Sequence, residues 1–268
     1  VKITSRPIAA KSAKEFLVYN SLLPSIREKY GPSFDFLEIP EVLGFDAQAC
    51  QFGIICTRYY DGETYNWREE NGGAGLGTQL SLEMVRLIQD FRRIDIAWLL
   101  QHPAGSWMRE FDLQAWLQQF RNNRTRGHEL GISEGEIKRA EEIIGTGFEL
   151  NDQIFSNGDF YPRNLVKLPQ HTVVIDWEHR PGFRACFIDY LPNVLAFAFV
   201  HMFNNDPWLA EFLRHSHGVF KVGTVDLRKA IMIKAFEQGS FWYDCKRSDL
   251  FPHQTKLFRM ALNDQLPI

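Results

Sequence analysis

The sequence predicts an α+β protein of two lobes, a small β-rich one followed by a larger, mostly helical one. Three observations carry this. Short β-branched and apolar runs gather in the first sixty residues, helical spacing governs most of the chain after Ser81, and one β-rich insert at 154–177 interrupts the helices. The 268 residues are 45% hydrophobic and 24% charged, with a formal net charge of -3. That composition excludes disordered, collagen-like and coiled-coil proteins. The charge offers no global basic field to a nucleic-acid backbone. No apolar run approaches the roughly 18 residues of a membrane span.

In chain order, residues 1–4 read as a strand and 13–23 as a helix, with Pro24 past its end. Residues 40–43 and 51–60 are apolar and β-branched enough for strands, the second closing at the turn signal Asp61-Gly62. The glycine-rich run 71–77 reads as a flexible connector, because Gly77 is followed by Thr78 where a phosphate loop needs Lys and no strand leads into it. Leu82, Val85, Ile88, Gln89 and Arg92 set a helical spacing carried to about residue 101. Asp112 caps a helix through Asn122, and Ser133 with Glu136 forms a capping box for a helix over 134–148. Residues 165–168 and 172–176 form a hairpin through Pro169-Gln170-His171, and helices resume from Asp189 to the end. Cys50, Cys56, Cys186 and Cys245 make no Cys-x-x-Cys pair, which fits free thiols in a reducing, cytoplasmic setting.

The chemistry sits in Asn157-Gly158-Asp159-Phe160-Tyr161-Pro162-Arg163-Asn164, followed by Val174-Ile175-Asp176-Trp177-Glu178. Gly and Pro put Asp159 and Asn164 on a loop, and a hairpin brings the end of its second strand back beside the start of its first. Asn164 and Asp176 then converge as one amide oxygen and one carboxylate. Few, hard oxygen ligands with room for water and phosphate suit Mg²⁺. Asp159 is left to accept a proton from a hydroxyl. A single Asp in a loop is ordinarily a turn or cap residue; three polar residues at this spacing around one hairpin point to a site.

This pattern resembles the protein-kinase-like fold, and within it the aminoglycoside phosphotransferase and choline kinase group, whose loop reads His-Gly-Asp-x-x-x-x-Asn before a hairpin ending Ile-Asp-Phe/Trp-Glu/Gly. The Trp177-Glu178 ending is typical of the small-molecule branch; Asn157 departs from the usual His, and Arg163 stands where a small or polar residue is common. The resemblance implies that Asp159 is the catalytic Asp, that Asn164 and Asp176 bind the metal, and that Lys2 contacts the α- and β-phosphates with Glu15 as its partner. Glu15 also completes a capping box with Ser12. Residues 54–62 resemble the hinge between lobes, where the backbone of Arg58, Tyr59 and Tyr60 would read the adenine edge.

The implied arrangement is a nucleotide-binding lobe and hinge over 1–62 and a helical lobe over 63–268 carrying the catalytic loop, metal site and acceptor site. The implied activity is ATP- and Mg²⁺-dependent transfer of a γ-phosphoryl group to a hydroxyl of a small aminoglycoside-, choline- or homoserine-like molecule. The strands and glycine-containing loop that cover the phosphates would precede Lys2. The small lobe therefore reads as truncated, and about 25–50 further N-terminal residues are expected, judged from strand and hairpin lengths. The alternative is a non-catalytic kinase-like nucleotide-binding or scaffold protein, suggested by Asn157 and that missing segment. Glu178, Asp206, Glu211, Glu237 and Asp244 could bind an amine, and Trp208, Trp242 and Tyr243 could face a cation, although packing of the helical lobe is the simpler explanation. His201, His215 and His217 lack partners at zinc-ligand spacing, Asp189 reads as a cap, and no Gly-x-Ser-x-Gly elbow supports a hydrolase.

Overall fold

β1 (Lys2–Ser5), β2 (Val42–Asp46) and β3 (Phe52–Thr57) form an antiparallel sheet in the order β1-β3-β2. The structure is a computed structural model and describes residues 2–5, 16–34, 42–46, 52–57, 62–64, 74–103, 112–148, 153–156, 164–169, 172–175, 182–185, 206–220 and 223–267. The chain divides into two compact units, one of Val1–Asn66, Gln89–Glu110 and Gln153–Arg184, the other of Trp67–Ile88, Phe111–Asp152 and Ala185–Ile268. In the first sheet Lys2 lies opposite Ile55 and Ser5 opposite Phe52, while a bulge between Val42 and Gly44 adjusts β2.

The helix expected to stop before Pro24 does not stop there. Val18–Leu22 forms a π-helical turn that runs straight into α1 (Leu23–Tyr30), with Pro24 in the first turn of α1. Proline is tolerated in a first helical turn, where its missing N–H has no intrahelical acceptor to serve. Val18, Leu22, Leu23 and Ile26 are buried along one side. Gly31 ends α1 at a positive φ of 70°, a conformation that costs glycine little.

The glycine-rich connector is a correction. α2 (Ala74–Arg92) starts inside that run, so Gly75 and Gly77 are helical. Each glycine costs a helix about 1 kcal/mol, and the buried Met84, Val85, Leu87, Ile88 and Phe91 further along offset that cost. The single helix expected up to residue 101 is two helices. Asp95 caps the second, α3 (Ile96–Gln101), accepting from Ala97 N at 2.9 Å and Trp98 N at 3.3 Å. Within the first unit, Asp95 N donates to the Tyr30 hydroxyl at 2.6 Å, and the Tyr30 and Trp98 rings meet edge-on at 6.0 Å.

In the second unit, Asp112 accepts from Ala115 N at 2.9 Å to start α4 (Leu113–Asn122). The short α5 (Arg126–Glu129), not expected from the sequence, follows. The capping box forms as read: Ser133 and Glu136 exchange hydrogen bonds at the start of α6 (Glu134–Gly145), which ends three residues before the expected position. The remaining strands are β4 (Glu63–Thr64), β5 (Gln153–Ser156), β6 (Leu165–Lys167), β7 (Thr172–Val174) and β8 (Gly182–Ala185). They form a β4-β6-β7 sheet and a β5-β8 pair.

The last helices are α7 (Asp206–Phe220), α8 (Thr224–Asp244) and α9 (Phe251–Leu262); the helical start expected at Asp189 lies outside the described residues. α8 is buried around most of its circumference from Asp226 to Phe236 and packs on α4, α5, α6 and α9, which makes it the axis of this unit. Its buried Lys229 is satisfied twice, by the Gly147 carbonyl at 2.5 Å and by Asp226 at 3.5 Å. Among the described residues no helix is long and apolar enough to cross a membrane.

Candidate functional site

The β4-β6-β7 sheet connects Glu63 and Thr64 to the hairpin that begins beside Asn164. Glu63 pairs with Lys167 and Thr64 with Val166. Leu165, Val166 and Lys167 pair in turn with Val174, Val173 and Thr172. These β-branched and leucine residues are buried on the hairpin, with Leu165 and Val173 fully so. Gly62 is where the approach is closest: a Cβ there would lie 2.7 Å from the Lys167 carbonyl oxygen and from Val166 Cγ1. Only glycine lets the backbone come that near.

The pairing continues one step past β6. Ile175 N donates to the Asn164 carbonyl at 2.9 Å, so Asn164 sits at the mouth of the hairpin opposite Ile175, the residue before Asp176. Asn164 is 5% exposed. The sheet pairing fixes the backbone at that position. Its amide oxygen is a hard, neutral donor of the kind Mg²⁺ accepts, and Asp176 is a carboxylate twelve residues later in the sequence. That donor chemistry fits a divalent cation. Among the described residues no group of three His, Cys, Asp or Glu side chains could hold a metal ion.

Lys2 lies in β1, opposite Ile55 on the strand that runs toward Arg58. Glu15, Arg58, Tyr59, Tyr60, Asp159 and Asp176 lie outside the described residues, as do Asn157, Glu178, Asp189 and His201. Thus the structure positions the backbone of Lys2 and Asn164 in two sheets of the first unit. His215 and Ser216 are on α7, Ser216 fully buried. Cys245 is an exposed free thiol.

The second unit holds a cleft of about 250 Å³ between α4 and α8. Trp116, Phe120 and Phe236 are among its lining residues, with the charged Arg126, Glu237 and Asp244. The sequence singles out Glu237 and Asp244 but pairs them with other aromatics: Trp242 stacks edge-on with Phe241 at 4.9 Å, and Tyr243 with Phe251 at 5.7 Å. The missed signal is spacing. Trp116 and Phe120 are four apart on α4, while Ile233, Phe236, Glu237, Ser240, Phe241 and Asp244 follow one helical face of α8. Arg126 donates to Asp244 at 2.5 Å, and that hydrogen bond, with the two carboxylates beside it, holds its pKa above the ordinary guanidinium value.

No family model matches the chain, and no curated protein sequence does. Solved structures do. The chain is similar to aminoglycoside 2'-phosphotransferase-IIIa, seen as its GDP complex, with a TM-score of 0.64 at 10% identity over 95% of this chain and 84% of that one. It is similar to a choline/ethanolamine kinase family protein from Mesorhizobium loti, with a TM-score of 0.54 at 14% identity over 98% and 83% of the two chains. It is also similar to an amicoumacin kinase in complex with AMP-PNP, Ca²⁺ and Ami, with a TM-score of 0.51 at 11% identity over 85% and 70%. The fold is that of the aminoglycoside phosphotransferases and choline/ethanolamine kinase family proteins.

Proposed function

We propose that the protein is a small-molecule kinase that transfers the γ-phosphoryl group of ATP to a hydroxyl group. The observation that carries this reading is the register of the β6-β7 hairpin, which holds Asn164 opposite Ile175, one residue from Asp176. Asp176 follows Ile175 directly in the sequence, so the reading assigns both motif residues to one hairpin mouth. The shared fold supports the same reading, since the similar structures include phosphotransferases and a kinase bound to a nucleotide analogue with a divalent cation.

In this reading Asn164 and Asp176 would hold Mg²⁺. When bound, the ion neutralises charge on the phosphate oxygens. Asp159 orients the acceptor hydroxyl and takes its proton as the new O–P bond forms and the bond between the γ-phosphorus and the ADP oxygen breaks. Lys2 steadies the α- and β-phosphates, Glu15 fixes Lys2, and the backbone at Arg58, Tyr59 and Tyr60 reads the adenine edge. The lobes divide at the hinge, 1–62 gripping nucleotide and 63–268 supplying metal, base and acceptor. Catalysis is then mostly positioning and charge neutralisation. The acceptor is a small hydroxylated compound, and the protein acts in the cytoplasm.

ADP release from Mg-ATP, measured over a panel of aminoglycosides, amino alcohols and hydroxy amino acids, tests the reading. At least one compound is expected to stimulate release, and Asp159→Asn is expected to lower that rate by about 10²–10⁴-fold while leaving ATP affinity nearly unchanged. ATP binding with no stimulated release across the panel favours the non-catalytic alternative, and an Asp159→Asn variant with near wild-type turnover removes Asp159 from the role of base.

A further inference from the structure

We propose that the polar groove between the end of α4 and the middle of α6 is a self-association surface, through which two copies of this chain pair about a two-fold axis. The groove lies wholly within the second unit and does not depend on the phosphotransfer reading.

Its charges carry the argument. The groove is about 850 Å³, and every residue that lines it is polar. Arg121 and Arg124 stand on one side, at the end of α4 and in the turn after it. Lys138, Glu141 and Glu142 stand on the other, on α6. Among the described residues none of these five has an ion pair or a side-chain hydrogen bond. Other charges on the same helices are paired within the chain: Arg126 with Glu129 at 3.1 Å and Asp244 at 2.5 Å, and Glu136 with Arg259 at 2.7 Å. Lys138 precedes Glu141 and Glu142 by three and four residues, the spacing of an intrahelical ion pair, yet it bonds to neither. Five unpaired charges of both signs therefore line one groove.

The mixture of signs selects the occupant. An anion would meet two carboxylates, and a cation would meet three cations. The partner must carry both signs in the reverse order. A second copy turned about a two-fold axis does so, because in such a contact residue i meets j and j meets i. Lys138 and the two carboxylates are one helical turn apart, about 5.4 Å. Two α6 helices lying side by side and antiparallel thus set the ammonium of each against the carboxylates of the other. Arg121 and Arg124 enlarge the cationic side of each copy. With no apolar residue lining the groove, the association is weak and held by charge.

Sedimentation equilibrium of the full chain at low ionic strength reads the association. A monomer–dimer equilibrium is expected, weakened about tenfold or more when salt is raised from ~20 to ~500 mM. Arg121→Glu with Arg124→Glu, and Glu141→Arg with Glu142→Arg, should each abolish the dimer. Combining all four substitutions recovers the parent's net charge with the two sides exchanged, and should restore it. Glu28 lies on α1 in the first unit and supplies the control for net charge. Glu28→Lys and Glu141→Arg raise that charge equally, and only the second is expected to weaken association. The substituted positions are exposed, except for the half-buried Glu141, and circular dichroism checks that each variant is folded. A parent that stays monomeric up to ~1 mM, a dimer that survives either paired reversal, a combined variant that stays monomeric, or equal weakening by Glu28→Lys and Glu141→Arg overturns the proposal.

Discussion

Replacing Gly62 by Ala tests how tightly the segment after the hinge is fastened to the hairpin. The added Cβ would lie 2.7 Å from the Lys167 carbonyl oxygen, 2.7 Å from Val166 Cγ1 and 2.8 Å from Leu168 Cδ2. One of those atoms is backbone and cannot rotate away. The methyl fits only if β4 and β6 separate by about half an ångström or more, which strains the ladder at Glu63–Lys167 and Thr64–Val166. Overpacking of this kind costs about 1–3 kcal/mol. Gly135→Ala on α6 is the control: no atom lies within 4 Å of its Cβ, and alanine there should stabilise the helix by about 0.5–1 kcal/mol. Urea unfolding with matched m-values reads both changes. Since β6 begins at the residue after Asn164, Gly62→Ala should also weaken Mg-ATP binding several-fold. A Gly62→Ala variant as stable as the parent, or more so, refutes the close approach.

Two further outcomes concern the helical unit. Glu136 is held at a pKa of about 2, first by its hydrogen bond from Arg259 and then by the Ser133 backbone and hydroxyl. A carboxylate held below its ordinary 4.5 contributes stability above that pH and loses it as pH falls toward 2. Because both partners are partly in water, with 42% and 26% of their side chains exposed, the contribution is about 1–2 kcal/mol. Urea unfolding of Glu136→Gln should show that deficit at pH 7 and almost none at pH 2. Lys229→Met removes one buried cationic neighbour of Asp226 and the donor to the Gly147 carbonyl. It should lose about 1–3 kcal/mol in the same assay.

Local chemistry is what the sequence makes readable. Asp112 and the Ser133–Glu136 box are visible because a cap and its partners lie within four residues of each other. The β6-β7 hairpin is visible because Leu165-Val166 and Thr172-Val173-Val174 flank a short turn. The failures are of two kinds. Propensity misleads where packing overrides it: Gly75 and Gly77 read as a connector yet belong to α2, and Pro24 reads as a stop yet opens α1. Long-range pairing leaves no local mark. The two-residue β4 exists only because Glu63 and Thr64 meet a strand about a hundred positions later, and β8 only because it meets β5. The α4–α8 cleft is hidden for the same reason, joining Trp116 to Glu237 across 121 residues.

Nucleotide-binding calorimetry with and without Mg²⁺, on the parent, Asn164→Ala and Asp176→Ala, tests the central claim most directly. A carboxylate offsets the charge of the metal and an amide does not. The account therefore expects ATP affinity that depends on Mg²⁺ in the parent, falls for Asn164→Ala, and falls further, by roughly tenfold or more, for Asp176→Ala. Equal and Mg²⁺-independent ATP affinity in all three proteins would contradict it.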